Sequence, residues 1–161
     1  MQFAHNGSYL VARLDEGEEA IATLRRFLTE QSIFGGYFAA WGAFSRVKLR
    51  YYRATEHEYY DRVLDRQVEV VSLLGNIACL DDEPIIHAHM TVGDEQFQTY
   101  SGHLAEGTVR PTLEVFVTPF PDELRRRWDT RLNLALLDLK AEKAPAPVYN
   151  GFEERMRPRE E

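Results

Sequence analysis

The chain reads as an α+β protein: a mostly antiparallel sheet of six to seven strands packed against one main helix. Two observations carry this expectation. Apolar residues recur at helical spacing in only one stretch near the start. From Ser32 onward the pattern changes to alternating or short continuous apolar runs separated by turn residues, which is the signature of strands. Strands grouped together, rather than alternating with helices, predict an antiparallel sheet.

Ser8–Leu14 alternates and is predicted as the first strand. Asp15 then offers a helix cap, with Glu18 three residues on in the manner of a capping box. Ala20, Ile21, Leu24, Phe27 and Leu28 follow on one face, so a helix is predicted from about Glu16 to Glu30. Residues 37–44 and 47–52 read as strand, 57–63 as a polar edge strand, and 68–80 as a long strand that Gly75 bends or bulges. Residues 81–84 are a turn, 85–92 and 97–104 a hairpin, and 110–118 the closing strand. After Pro119-Phe120-Pro121 a short, partly helical segment is expected. The domain then spans 8–139, and 140–161 is a C-terminal arm whose Pro-rich and charged composition builds no core of its own.

With 161 residues and 44% hydrophobic content, one packed domain is expected. No apolar run reaches the ~18 residues of a membrane span, and the N-terminus lacks the pattern of a secretory signal. The single cysteine, Cys79, fits a reducing cytoplasm and a place in the core. A formal charge of −7 predicts DNA binding that is weak or absent. The basic run Arg125-Arg126-Arg127 is flanked by acidic residues and reads as a solvated or interface face. There is no Gly-rich phosphate loop, and no nucleophile elbow surrounds Ser101.

The chemistry concentrates in IIHAHMTV at 85–92 and TYSGHL at 99–104, which hold three of the five histidines. Residues two apart on a strand share a face, so His87 and His89 point one way while Ile86, Ala88, Met90 and Val92 point the other. A hairpin that sets residue 87 against 103, 89 against 101 and 91 against 99 gathers His87, His89, His103, Ser101 and Thr99 on one face. Opposed Cβ atoms lie ~5 Å apart and diagonal ones ~7 Å, close enough for three imidazoles to reach a zinc ion at about 2.0–2.1 Å. The plain alternative is three polar residues on a sheet face. Three neutral nitrogen donors suit zinc first, and also iron, nickel or copper. Thr99, Ser101 and Glu114 are the candidates to hold the free ring N–H groups, and Glu114 could instead be a fourth ligand or the partner of Arg110 or Arg46.

The same stretches carry a resemblance. DEGEE at 15–19, GYFAAWGAFSRVKLRYY at 36–52, VEVVSLLGNIA at 68–78, EPIIHAHMTVGD at 83–94 and GHLAEGTVRPTLEVFV at 102–117 are together similar to the plants-and-prokaryotes conserved (PPC) domain in its single-domain prokaryotic form. The resemblance implies a seven-stranded antiparallel sheet with a helix, a homotrimer, and a metal site at His87, His89 and His103. It also implies an interaction or regulatory role, and the DNA-binding designation given to many prokaryotic members. The AT-hook core that accompanies the plant domain is missing: the run RPR at 157–159 lacks its glycine. The plant contact segment corresponds to DRQVEVV at 65–71, where Arg66 and Glu69 match but the glycine and aromatic do not. A metal-dependent enzyme or small-molecule sensor using an open coordination position is the alternative reading.

Overall fold

The computed structural model describes residues 1–140. Apart from Lys140, the expected C-terminal arm, 140–161, lies outside the described residues. The elements are β1 (Gln2–Asn6), β2 (Tyr9–Asp15), α1 (Ala20–Glu30), β3 (Gly36–Arg53), β4 (Glu58–Leu64), β5 (Val68–Leu80), β6 (Glu83–Gly93), β7 (Thr99–Pro119), β8 (Arg126–Asp129) and β9 (Leu134–Leu137). The main sheet has seven strands in the order β1-β2-β7-β6-β5-β3-β4, every neighbouring pair antiparallel. An α+β protein with one helix on such a sheet is what the sequence predicts.

The sheet also closes on itself, because β3 pairs with β7. Both strands are long enough to serve two neighbours in turn. The first part of β3 lies between β5 and the end of β7, and its second part between β4 and the start of β7. Alternation then sorts side chains to an inside and an outside. Phe38, Phe44, Val47, Leu73, Ile77, Ala88, Met90, Val92, Leu113 and Val115 fill the inside and are all buried. The helix adds Ala20, Leu24, Phe27 and Leu28 to that core.

Four local expectations are corrected. The helix begins at Ala20, not Glu16, and its cap is Glu19, whose carboxylate accepts from the backbone N–H of Ile21 and Ala22 at 3.3 and 2.7 Å. Gly17, at φ +87°, turns the chain too sharply for an earlier start. Asp15 keeps half of the expected box: its N–H donates to Glu18 at 2.8 Å, while its own carboxylate binds the N-terminal ammonium. Residues 97–104 and 110–118 belong to one strand, β7, bent by irregularities in its pairing with β3. Gly75 makes no bulge; the β5–β6 irregularity falls between Val70 and Ser72. A Cβ at Gly75 would meet the Phe38 ring at 2.4 Å, so the glycine makes room for a core aromatic.

The fourth correction bears on the site. The segment after Pro121 is no helix but the β8–β9 hairpin. Its turn is set by Asp129, which accepts from the N–H groups of Arg131 and Leu132, and by Asn133 at φ +55°. The hairpin docks on the outside of the sheet. Cys79 N–H donates to Leu124 O at 2.7 Å, and the Tyr52 hydroxyl donates to Leu132 O.

Candidate metal centre

His87 and His89 stand on the outer face of β6, because Ala88, Met90 and Val92 take the core side. His103 stands on the outer face of β7, beside the buried Leu104. The histidines therefore share one face, as the alternation predicts, but the register differs by one step of two residues. His89, not His87, opposes His103; Thr91 opposes Ser101 and Gly93 opposes Thr99. The cause is the hairpin loop. Asp94 accepts from the N–H groups of Gln96 and Gln98, both at 3.0 Å, and Phe97 takes φ +60°. This tight turn extends β6 to Gly93. A shift of two keeps every side chain on its own face, so the cluster survives the wrong register.

One potential ligand atom from each of His87, His89 and His103 lies within 4.8 Å of the other two. His87 Nε2 and His103 Nδ1 are 3.2 Å apart. Two nitrogens bound to one tetrahedral zinc at about 2.0–2.1 Å would be roughly 3.3–3.4 Å apart. The pair is already at chelating separation, and the residues fit the ion. His89 is exposed, so the cluster opens to solvent on that side.

The surroundings favour the neutral form of two of the imidazoles. Burial first, then Arg126 and the other two histidines, push the His87 imidazole down to about 4. Burial, then His89 and Arg50, lower that of His103. A neutral ring is the form that ligates. Tyr59 stands edge-on to His103, with ring centroids 5.4 Å apart. Its phenol is raised by burial.

Arg126 and Asn76 were not legible as site residues. Arg126 Nη2 donates to Asn76 Oδ1 at 2.8 Å and to His87 Nδ1 at 3.3 Å; Nη1 donates to Ala135 O at 2.6 Å. Burial lowers the guanidinium. Of the basic run, only its middle member turns inward: Arg125 pairs with Glu123 and Asp82, and Arg127 with Asp138. Strand alternation in β8 could have flagged this had the segment been read as a strand. Asn76 is directly opposite His87 in the β5–β6 pairing.

The three predicted holders of the ring N–H groups fare differently. Ser101 and Thr99 are on the histidine face, but both are exposed, and the Ser101 hydroxyl pairs with Thr91 at 2.8 Å. Glu114 stands far along β7, exposed, between Arg13 on β2 and Trp41 on β3. It is neither a fourth ligand nor an orienter of these rings in this structure. Arg110 and Arg46 pair elsewhere, with Glu16 and Glu106. The Glu114 carboxylate faces out because Leu113 and Val115 take the core side. Cys79 is buried, and its thiol is pushed up to about 11, chiefly by burial, as befits a core residue. Among the described residues, no helix is long and apolar enough to cross a membrane.

A self-closing antiparallel sheet with one helix and an outward three-histidine cluster defines a small α+β protein with a candidate metal centre. The chain belongs to the Plants and Prokaryotes Conserved (PCC) domain family, whose sequence profile matches residues 1–121. Among solved structures it is similar to a metal-containing protein from Archaeoglobus fulgidus, at 30% identity and a TM-score of 0.77, covering 86% of this chain and 99% of that one. It is also similar to a plant- and prokaryote-conserved (PPC) protein from Pyrococcus horikoshii, at 28% identity and a TM-score of 0.76, over 88% and 97% of the two chains. A candidate DNA-binding protein from Ralstonia eutropha JMP134 matches at 27% identity and a TM-score of 0.78, over 85% and 95%. The bifunctional protein GlmU of Synechococcus sp. (strain JA-3-3Ab) is 31% identical over 135 residues, 81% of this chain but 20% of that protein. The chain thus spans about a fifth of the length of the curated relatives it matches.

Proposed function

We propose that this protein is a metal-binding interaction or regulatory module, in which His87, His89 and His103 hold one divalent transition metal, zinc first. The observation that carries the reading is the convergence of three ring nitrogens, one pair at 3.2 Å, on one open face. The metal-containing relative from Archaeoglobus fulgidus supports it. Purified protein should carry one metal equivalent per chain by elemental analysis. The His87→Ala, His89→Ala double variant and His103→Ala should carry none. Unchanged metal content in His103→Ala would return the cluster to a plain polar face.

The working unit is a homotrimer in the cytoplasm. Support comes from the outer face beside the histidines. Phe116, Ala39, Leu74 and His89 form one row of paired positions, flanked by Trp41, Tyr37 and Val71. Leu74 and Val71 are 59% and 56% exposed, too much contiguous apolar surface to leave in water. Light scattering should give three times the chain mass; a monomer at micromolar concentration contradicts this. DNA contact is weak or absent at a net charge of −7. A gel-shift complex that survives physiological salt would contradict that.

A second reading, a metal-dependent enzyme or small-molecule sensor, is favoured by the exposure of His89. Three histidines leave a position on a four-coordinate ion for a ligand. Bound there, the metal would supply Lewis acidity.

A further inference from the structure

Arg126 is a partly buried cation for which no described residue supplies an anion. Among the described residues no carboxylate lies within ion-pair distance of it, and its Nε is buried with no hydrogen-bond partner. Its partners are a backbone carbonyl, an amide oxygen and an imidazole, all neutral. Removing a guanidinium from water without a counter-charge is costly, and such groups are normally paired.

A guanidinium only donates, so His87 Nδ1 accepts from Arg126 at 3.3 Å. The neutral His87 ring then carries its proton on Nε2 and donates it to His103 Nδ1 at 3.2 Å. That shared proton stands where a cation would stand. When His87 ligates through Nε2, its one remaining N–H moves to Nδ1, which now faces an Arg126 N–H. Two donors cannot bond. Asn76 Oδ1, opposite His87 in register, is the acceptor at hand for the ring. Arg126 is left with free N–H groups beside a dication and three uncharged ligands.

We propose that the site takes a small carboxylate, with one oxygen on the open coordination position and the other on the Arg126 guanidinium. The planar fork of an arginine matches a carboxylate edge, and the anion would offset positive charge that no described residue neutralises. This inference rests on the metal reading above. It assigns Arg126, and through it the β8–β9 hairpin, to ligand binding.

The test uses the full chain loaded with cobalt(II), whose visible absorption reports ligands entering the coordination sphere. Acetate and glycolate are titrated into wild type, Arg126→Gln and Arg126→Lys, with imidazole as a neutral ligand in parallel. The expected result is at least about tenfold weaker binding of both carboxylates in Arg126→Gln, an intermediate loss in Arg126→Lys, and unchanged imidazole binding. Equal carboxylate affinity in wild type and Arg126→Gln, with cobalt spectra intact, overturns the proposal and leaves the metal reading standing. Equal losses for imidazole and carboxylate also overturn it, since Arg126 would then only hold the site's shape. Absence of cobalt bands before any anion is added overturns the metal reading and this inference with it.

Discussion

Two arginines flank the β6–β7 hairpin, and they are held differently. At the loop end, Arg66 Nη2 donates to Asp94 Oδ2 at 2.9 Å, and the Asp94 side chain is 1% exposed. That carboxylate also accepts from two backbone N–H groups and lies 3.4 Å from the Tyr100 hydroxyl. At the other end, Arg126 meets His87 and two neutral oxygens, and its Nε–H is buried without a partner. The first arrangement is complete within the chain. It fixes a turn and asks for nothing further. The second has donors in excess and, among the described residues, no negative charge, which is how a binding site differs from a structural network.

The largest expected difference is in folding stability. Asp94→Ala removes the acceptor for Gln96 N–H, Gln98 N–H and Arg66 together, and it frees the turn that sets the register of His103. Arg126→Met removes three hydrogen bonds but also a buried, uncompensated donor and charge. Thermal unfolding of the metal-free protein should therefore show a far larger fall in Tm for Asp94→Ala. A larger fall for Arg126→Met would make Arg126 a structural keystone and dissolve the contrast.

The sheet and the histidine face were legible because both rest on period-two alternation, which is local and robust. Ala88, Met90 and Val92 had to face the core, so His87 and His89 had to face out. Register was not legible, because Asp94 sets it through hydrogen bonds to Gln96 and Gln98 that a sequence pattern does not announce. Arg126 was missed for a longer-range reason. It reaches His87 only because β8 docks beside β5, through contacts such as Cys79 N–H to Leu124 O. Glu114 does not join the site because its neighbours Leu113 and Val115 face the core and turn it outward, a choice of face that residue type alone does not reveal.

The smaller effect is a separation by pH. At the loop, burial pushes the Asp94 carboxyl up, but the N–H groups of Gln98 and Gln96 and the charge of Arg66 outweigh it and hold the group below the usual carboxylate range. A carboxyl depressed by folding contributes stability above its unfolded value of ~3.9, and loses it as pH falls further. His87 is also depressed, to about 4, but from an ordinary value near 6.5. Protons then favour the unfolded chain once pH drops below ~6.5, and that contribution is lost progressively down to the folded value. In metal-free protein the histidine end should therefore weaken between about pH 6.5 and 4, before the Asp94 loop does. His87→Gln should flatten the Tm-versus-pH curve in that upper window and leave the steep loss below it unchanged. Metal-loaded protein should hold its stability further into acid, because ligation competes with the same protons. An upper-window slope that is identical in wild type and His87→Gln would mean that His87 does not sense its burial, and the distinction between the two ends of the hairpin would then rest on Arg126 alone.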